Sequence, residues 1–563
     1  MTADEPDVVS GWQGKLCQFF TRDEIARYCL GQLSFPPTLL NMRLLEPAAG
    51  RGAFILPLIE RLAKTGSAKR NTHEQLHEMI RAYEVDKHVA DRLRANCKSA
   101  LEVAGFEPKT ATSLVKAWVV RGDFLDADLS PRFTHIVGNP PYIRWDAIPR
   151  PLLKQYRAQF GSFRARADLY VAFIEKSLGL LDDNGQLAFL CPINWTRNSY
   201  GKSVREALTA RGWLKTIIDF TNVDSFERPA DAYPSFFVYS ATGAGDTEIV
   251  SIANGKGGLE SRGRPIRRTF AQTTSPFILA SKSIGQFVER AKRKFPKLEE
   301  AGCIVRVGSA TGCNDVFLGA KDALPVERSR LLRFVNAGSI HEGRVRWSET
   351  HVVNVFDRNS KLVDLDDYPR LRSYLLNHKA RLRGRAKANQ SACWWRTIDV
   401  LHKDWYGSQK LLVSDIASAP VIGLDTVGYC AGGGVYQIKS QKWPLEDLQL
   451  LLSAGVLGTF VGALSHRSTH GFQRFQKKLI VEVPIPHWDA LTPDWRASFR
   501  AARLKKDVDL VLALVADLYG CSVGLLAAHT ARDWKTFGAR SERVGVANGP
   551  KAVDRKRKIG RRE

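Results

Sequence analysis

The sequence lacks paired cysteines. Its nine cysteines are scattered along 563 residues, they are odd in number, and no two of them form a CxxC pair. This spacing excludes the usual framework of a disulfide-stapled secreted domain and the usual thiolate zinc site. We therefore expect reduced thiols, no bound metal and a cytoplasmic protein.

The sequence also has no long uninterrupted apolar segment, and its N-terminal residues show no signal-peptide pattern. Its N-terminus, MTADEPDVVSGWQGK, is acidic and has no apolar core. No uninterrupted apolar run approaches the roughly 20 residues that a membrane-spanning helix needs. We expect neither a secretion signal nor a membrane partner.

Acidic residues are in short supply. The chain has 83 Lys and Arg residues against 58 Asp and Glu residues, which gives a formal net charge of +25. Such an excess favours a polyanionic partner, because basic side chains displace the counterions condensed along phosphates. The charge alone does not distinguish DNA from RNA or from an acidic membrane.

Short apolar strands alternate with amphipathic helices between about residues 43 and 240. The predicted strands include RLLEPA, IRAYEVD, KAWVVRGDF and FTHIVGNPPY, and helical segments such as VADRLRANCKSALEVAG separate them. Strands joined by helical crossovers predict a mainly parallel sheet that is covered on both faces. The expected fold class is α/β, with a Rossmann-like, doubly wound sheet, and the length leaves room for a second domain.

Composition suggests the domain boundaries. Residues 1–245 are predicted to form the α/β domain, and 246–278, which are rich in Gly, Ser, Thr and Arg with little periodicity, a linker. Residues 279–545 mix short strands with helices and predict an α+β domain. Residues 546–563 form a basic tail without an apolar face, which predicts disorder.

Three successive predicted strands end in an acidic residue. Glu46 closes the first strand, ahead of a Gly-x-Gly turn, Glu84 closes the second, and Asp123 closes the third. The carboxyl ends of parallel strands border the ligand crevice of an open sheet, where an acidic residue can bind ribose hydroxyls. Each acid taken alone is more often a helix cap. The three in order predict a cofactor site.

The turn with Gly50 and Gly52 lacks the Lys-Ser/Thr pair of a phosphate-binding loop. The pocket therefore favours a cofactor that contains ribose and adenine but no pyrophosphate. Asp123 would accept a hydrogen bond from the adenine amine, and the ring of Phe124 would cover its face.

The stretch VGNPPYIRW, residues 137–145, follows the fourth predicted strand. Two prolines remove two backbone donors and stiffen the turn, which leaves the Asn139 side-chain oxygen and the Pro140 carbonyl as acceptors. Both can accept from one NH2 group, and Tyr142 offers a ring for an attached base. The stretch predicts a site for a planar amine.

NPPY downstream of a Gly-rich turn resembles the amino-methyltransferases that use S-adenosyl-L-methionine. The likeness is greatest to the gamma-class DNA adenine-N6 methyltransferases of the Eco57I-like, type II modification group. In CQFFTRDEIARYCL, Phe20 and Thr21 match the segment that closes over the methionine end of the cofactor. In DSFERPADAYPSFFVYS, Phe226 rather than Phe236 is chosen as the match to the aromatic residue that stacks opposite Tyr142.

The resemblance covers residues 15–240 and implies methyl transfer to N6 of a flipped-out adenine in double-stranded DNA. The implied cofactor-binding residues are Phe20, Thr21, Glu46, Ala48, Gly50, Gly52, Glu84, Asp123, Phe124 and Asn139. The implied catalytic residues are Asn139, Pro140, Tyr142 and Phe226.

The second half is similar, more loosely, to the target-recognition region of that group, through RVGSATGCNDVFL and GFQRFQKKLIVEVPIPHW. Residues 279–545 are thus expected to read DNA. Longer members carry an endonuclease ahead of the first motif, which only about 17 residues precede here. We expect modification without an intrinsic nuclease, and a cognate restriction endonuclease acting separately stays open.

Three other functions stay open at this point. RNA and protein-glutamine methyltransferases share the motif set and also act on an NH2 group, although the basic second half favours DNA. A non-catalytic DNA-binding specificity protein is the third alternative. Such a protein would not need NPPY or the strand-end acids. Loss of cofactor binding on changing Glu84 or Asp123 would argue against this alternative.

Overall fold

The computed structural model describes residues 19–534, except 37–38, 40–41, 65–71, 130–131, 229–232, 256, 271–272, 386–392 and 466–471. The chain divides into two compact units, Met1–Arg293 with Thr459–Phe475, and Lys294–Gly458 with Gln476–Glu563. The first unit thus extends beyond the predicted boundary at 245 and takes in a stretch from late in the sequence. The predicted basic tail, 546–563, lies outside the described residues.

The first unit is built around one large sheet. Its strands are β1 (Leu44–Glu46), β2 (Ile80–Glu84), β3 (Val119–Arg121), β4 (Phe133–Gly138), β5 (Leu181–Pro192), β6 (Trp213–Asn222), β7 (Pro234–Ser240), β8 (Thr247–Gly255), β9 (Gly258–Ser261) and β10 (Ile266–Arg268). Its helices are α1 (Asp23–Leu30), α2 (Ile55–Lys64), α3 (His73–Met79), α4 (Lys87–Val103), α5 (Pro108–Trp118), α6 (Arg150–Gln159), α7 (Tyr170–Leu180), α8 (Lys202–Ala210) and α9 (Lys282–Lys294), which ends one residue past the unit boundary.

The strand order is β10-β8-β6-β7-β5-β4-β1-β2-β3, with β9 beside β8. Strands β3, β2, β1, β4 and β5 run parallel, and β7 lies antiparallel between β5 and β6. Helices cover both faces, since Leu58, Leu93 and Leu114 belong to one buried cluster whereas Tyr170 and Leu208 belong to another. The predicted doubly wound α/β fold is confirmed.

The segment 246–278 differs from the linker that its composition suggested. It contains β8, β9 and β10, and β8 runs parallel to β6 with Ile249 opposite Ile217. In β8 only Thr247, Ile249 and Ile252 are buried, because the strand lies near the edge of the sheet. Polar residues between these positions hide the strand pattern in the sequence.

The second unit mixes small sheets with helices, as expected for an α+β domain. One sheet has the order β11-β21-β17-β19-β15-β14 and another β12-β16-β13-β20. The strands from here on are β11 (Cys303–Val307), β12 (Leu318–Ala320), β13 (Leu331–Val335), β14 (Ile340–His341), β15 (Arg344–Val345), β16 (Thr350–Val353), β17 (Lys410–Ser414), β18 (Ile416–Ala417), β19 (Ile422–Asp425), β20 (Cys430–Ala431), β21 (Val435–Ser440) and β22 (Gln473–Arg474), the last of which belongs to the first unit. The helices are α10 (Asn314–Phe317), α11 (Pro369–Asn377), α12 (Lys379–Arg383), α13 (Leu445–Leu451), α14 (Leu457–Leu464), α15 (Lys477–Ile480), α16 (Pro493–Lys505), α17 (Val508–Tyr519) and α18 (Val523–Ala527). All of α14 except its first two residues belongs to the first unit.

The helical stretch Leu445–Leu464 is long and apolar enough to cross a membrane, judged by length and composition alone. Acidic residues interrupt its sequence at Glu446 and Asp447, which is why no continuous apolar run marks it. Because 94% of its most apolar window is buried inside the protein, the stretch packs as a core helix.

Candidate active site

A cavity of about 370 Å³ opens at the carboxyl ends of β1, β2 and β3. Its lining includes 46–51, 83–86 and 122–124, which follow those three strands, and Asn139, which follows β4. The volume lies in the range of small-ligand sites, and the position is the usual ligand crevice of an open parallel sheet. The predicted cofactor residues all line this cavity except Gly52.

Acidic groups dominate the cavity wall. Six carboxylate residues line it against two arginines, Arg51 and Arg92. The six are Asp23, Glu46, Glu84, Asp86, Asp123 and Glu227. A wall of this charge suits a ligand that carries positive charge and hydroxyl donors, and it disfavours a phosphate-rich one.

The Gly-rich turn depends on left-handed backbone at two positions. Gly50 has φ +55° and Gly52 has φ +96°. The Gly50 N–H donates to Glu84 Oε2 at 2.9 Å, which ties the turn after β1 to the end of β2. A side chain at Gly52 would place a Cβ 2.9 Å from Leu93 Cδ1.

Replacing Gly52 with Ala is expected to lower the free energy of unfolding by about 2 to 4 kcal/mol, through backbone strain plus overpacking against Leu93. Gly105→Ala is the matched control, because Gly105 has φ +90° and nothing within 4 Å of the added Cβ. That variant should lose only about 1 to 2 kcal/mol from strain. Urea unfolding of both proteins measures the difference, and equal losses would contradict the packing argument.

Glu84 and Glu46 are two of the strand-end acids that line the cavity. Glu84 accepts hydrogen bonds from the N–H groups of Gly50 and Asp86, both at 2.9 Å, and burial raises its pKa to about 7. Glu46 is 1% exposed, and its Oε2 has no hydrogen-bond partner within the described part of the chain. Burial, and secondarily the nearby Glu84, raise the pKa of Glu46 well above its usual value. Both carboxyl groups would gain from a cationic or donating ligand.

Asp123 is held by two donors. Its Oδ1 accepts from the Leu125 N–H at 2.9 Å, and its Oδ2 accepts from the Tyr156 hydroxyl. Burial raises the pKa of Asp123. Phe124 is buried beside it, with its ring 5.3 Å from that of Phe173. The contact of Tyr156, on α6, with Asp123 was not predicted from the sequence. The one feature that could have indicated it is an aromatic hydroxyl in an otherwise polar, basic helix.

The orientation of the Asn139 amide is fixed by its neighbours. Its Nδ2 donates to the Phe19 carbonyl at 2.9 Å and to Thr21 Oγ1 at 3.1 Å. A backbone carbonyl only accepts hydrogen bonds, so the NH2 group must face Phe19. The other end, Oδ1, is buried and has no hydrogen-bond partner among the described residues. Pro140 is also buried, and Pro141 rather than Pro140 lines the cavity.

Tyr142 and Phe226 lie side by side, as their predicted roles require, but their rings are not arranged to hold a base between them. The ring centroids are 5.8 Å apart and the planes are inclined at 80°. Two stacking contacts require roughly 7 Å between parallel rings. Phe19, which the sequence did not single out, completes the cluster at 5.9 Å from Tyr142 and 5.6 Å from Phe226. Phe236 is fully buried within β7.

The segment with Phe20 and Thr21 is joined to the segment with Phe226 across the cavity. Thr21 forms an antiparallel bridge with Phe226, and the Glu227 N–H donates to the Phe20 carbonyl at 3.0 Å. Arg51 contacts both segments. It forms an ion pair with Glu227 at 3.0 Å, and its guanidinium group lies 4.0 Å from the centre of the Phe20 ring. Together these contacts form a strap over one side of the cavity.

Residues 279–545, which were predicted to read DNA, lie mostly in the second unit. Arg333 stacks 5.1 Å from the Trp347 ring, and Lys379 lies 5.8 Å from Trp394. Trp394 and Trp395 are half-buried against the core of that unit. Residues 386–392 and 466–471 of the range predicted to read DNA lie outside the described residues. In the part of the chain that the structure describes, no cluster of His, Cys, Asp and Glu could hold a metal.

Comparison with known proteins places this geometry in context. The profile of the Eco57I restriction-modification methylase family matches residues 60–226. The chain is 34% identical to the type II methyltransferase M.PaeR7I of Pseudomonas aeruginosa over 93% of this chain and 95% of that protein. It is 32% identical to the type II methyltransferase M.XhoI of Xanthomonas vasicola over 89% and 96% of the two chains.

A solved structure shares the fold. The type IIL restriction-modification enzyme MmeI, in complex with DNA, superposes with a TM-score of 0.59 at 14% identity, covering 94% of this chain and 73% of that chain. Identity and coverage against the curated relatives are high enough to assign the family. The chain belongs to the type II methyltransferases, within the Eco57I restriction-modification methylase family.

Proposed function

We propose that this methyltransferase transfers a methyl group from S-adenosyl-L-methionine to N6 of an adenine flipped out of double-stranded DNA. One observation carries the proposal. The Asn139 amide is held by Phe19 and Thr21 so that its oxygen, which is buried and has no partner among the described residues, is ready to accept a hydrogen bond. A buried acceptor without a partner is unfavourable unless a ligand supplies the donor.

The cavity beside Asn139 fits the cofactor. Its acidic wall suits a ligand with a sulfonium, an ammonium and ribose hydroxyls, and the turn at Gly50 lets a ligand approach the backbone. Glu84 would accept from the ribose, Asp123 from the adenine amine, and Glu46 would face the cationic end. When bound, S-adenosyl-L-methionine supplies a methyl group on a positively charged sulfur.

Asn139 and Pro140 position the amine in this proposal. The Asn139 Oδ1 and the Pro140 carbonyl accept from the two N–H groups, which withdraws the nitrogen lone pair from the ring and directs it towards the methyl group. The gain comes mainly from orientation. The methylated nitrogen is a strong acid, so its extra proton passes to water without a dedicated base.

A paired adenine reaches this corner only when it leaves the duplex, at a loss of a few kcal/mol. Stacking on Tyr142 and Phe226 would offset part of this loss, by roughly 1 to 3 kcal/mol per base. The two rings must first move apart and turn, because they now meet edge to face at 5.8 Å. Phe19 contacts both rings and would move with them or form part of the opened slot.

Nucleoside analysis tests the proposal. Duplex DNA is incubated with the protein and methyl-labelled S-adenosyl-L-methionine, and the digested nucleosides are separated. We expect the label in N6-methyl-2′-deoxyadenosine, and sequencing that detects methylation should place it in one defined sequence. Label in N4-methyl-2′-deoxycytidine, or no label in the DNA, would contradict the proposal, and parallel incubations with RNA and with a glutamine-containing peptide test the alternative substrates.

The family membership and the basic second unit support a proposed biological role for the protein. In our proposal the first unit carries catalysis and the second recognises the DNA target, in a cytoplasmic modification enzyme of a restriction-modification system that does not cut DNA itself. A cognate restriction endonuclease would act as a separate protein. Methylation protecting its host's DNA against such a nuclease would support this role.

The strap provides a test of cofactor retention. Arg51→Ala removes the ion pair with Glu227 and the stacking on Phe20, each worth up to about 1 kcal/mol at exposed sites. We expect the dissociation rate of S-adenosyl-L-methionine to rise about 3- to 10-fold in stopped-flow fluorescence. Arg43→Ala is the control, since Arg43 makes only an exposed pair with Glu78 at 4.0 Å. Equal rates for Arg51→Ala and wild type would contradict the role of the strap.

A further inference from the structure

The segment that follows NPPY is strongly basic. Residues 144–166 contain one acidic residue, Asp146, and the cations Arg144, Arg150, Lys154, Arg157, Arg164 and Arg166. Arg144 pairs with Asp146 at 2.8 Å. None of the other five cations has a carboxylate oxygen within 4.0 Å in the described part of the chain. Their charge is therefore left for a partner outside this segment.

These cations line a shallow groove that is open to solvent. Arg150, Lys154, Arg157 and Arg164 surround a concavity of about 360 Å³ on α6. Residues 150, 154 and 157 recur at helical spacing and share one face of the helix. They rise by about 6 Å and then about 4.5 Å along the axis. This spacing is comparable to one or two charge repeats of about 3.4 Å along a DNA strand.

Two of the cations are held in place by the protein. Arg157 Nη2 donates to the Ala165 carbonyl at 2.6 Å, and Arg164 Nε donates to the Gly161 carbonyl at 3.3 Å. Ala165 itself has φ +52°, in the left-handed region that residues with a Cβ rarely occupy. Strained backbone of this kind tends to occur at functional sites, and here it shapes the loop that carries the groove.

The groove belongs to an excursion that begins next to the amine-binding corner. The Leu169 N–H donates to the Ile143 carbonyl at 2.8 Å, which closes the excursion at its base, one residue after Tyr142. The buried face of α6 contributes Tyr156 to Asp123 in the cofactor cavity. One face of this helix therefore supports the cavity while the other lines the basic groove.

We infer that this groove binds the phosphate backbone of the DNA strand whose base enters the NPPY corner. The inference rests on the proposed DNA methyltransferase function. A concave, uncompensated and partly immobilised set of cations is what a polyanion requires, because counterion release then drives binding without a large ordering penalty. A purely solvated basic face would need neither the concavity nor the fixed guanidinium groups.

The test is the salt dependence of DNA binding by the full chain. Arg150→Gln with Lys154→Gln removes two exposed cations whose side chains form no hydrogen bond to the residues that the structure describes. With a random-sequence duplex, the slope of log Kd against log salt concentration should fall by about 1.8, and affinity at moderate salt by about 10-fold. Unchanged affinity for S-adenosyl-L-methionine shows that the variant is folded.

Lys98→Gln with Lys116→Gln is the matched control. These exposed lysines line a second groove, between α4 and α5, and their replacement changes the net charge by the same amount, with Lys98 paired to Glu102 at 3.8 Å. The control slope should change by less than about 0.5. Equal slopes for the test variant and wild type, or an equal loss in the control, would overturn the inference. A slope loss confined to the test variant supports the groove even if nucleoside analysis finds no adenine methylation, so the two failures are distinguishable.

Discussion

Asn139→Ala is expected to reduce methyl transfer by at least about 10³-fold, the scale seen when a preorganised polar group is removed from a transition state. The variant loses the acceptor that holds the amine, and it also loses the two contacts that join Asn139 to Phe19 and Thr21. DNA affinity should stay within a few-fold, because phosphate contacts elsewhere supply most of it. Single-turnover methylation and equilibrium DNA binding measure the two effects.

Thr21→Val distinguishes the role of Asn139 as an acceptor for the amine from its role in contacting the segment with Phe19 and Thr21. It removes one acceptor of the Asn139 amide, at 3.1 Å, and leaves Oδ1 and the Phe19 contact in place. We expect this variant to lose about 10-fold in rate, far less than Asn139→Ala. Turnover of Asn139→Ala within 10-fold of wild type would contradict the assignment of the amine acceptor.

Glu84→Ala is expected to weaken binding of S-adenosyl-L-methionine about 100-fold, because it removes a charged acceptor for ribose hydroxyls and leaves the Gly50 N–H without its partner.

The affinity of the wild-type protein for S-adenosyl-L-methionine should also depend on pH. Since burial raises the pKa of Glu84 to about 7, the group is partly protonated at neutral pH without ligand. Hydroxyl donors and a cation favour the carboxylate, so affinity rises as pH rises through about 7 and falls below it.

Titration calorimetry across this pH range checks the sign, because binding below the pKa must release a proton. Glu84→Gln should bind more weakly and lose the pH dependence. Glu46→Gln is the matched control. Burial raises the pKa of Glu46 well above its usual value, and Glu46→Gln leaves Glu84 and its two backbone donors in place, so the midpoint should remain. A midpoint that remains in Glu84→Gln and disappears in Glu46→Gln would show that Glu46 is the titrating group, which would contradict this prediction.

The parts of the site that follow strand ends could be predicted from the sequence. Glu46, Glu84 and Asp123 each end or follow an apolar strand, and parallel pairing necessarily brings such ends to one edge of a sheet. Asn139 follows β4 for the same reason. The structure brings all four to one cavity. Their roles in binding stay predictions.

Apart from the Tyr142 and Phe226 pair, which the family resemblance suggested, contacts between distant segments could not be predicted. Tyr156 reaches Asp123 across 33 positions, and Phe19 reaches Phe226 across more than two hundred. Such pairs depend on how helices and loops pack, which local periodicity does not encode. Residues 459–475 return to the first unit for the same reason. Removal of 279–563 would therefore damage the first unit as well, and point variants are the cleaner test of the proposed division of labour.

The central claim is that the Asn139 and Pro140 acceptors hold an exocyclic amine beside the methyl donor. A crystal structure of the full chain with S-adenosyl-L-methionine bound tests it most directly. The account predicts the ribose on Glu84, the adenine beside Asp123 and Phe124, and the methyl group directed at the space in front of Asn139 Oδ1. A cofactor bound in this cavity with its methyl group directed away from that oxygen, or bound elsewhere, would contradict the account.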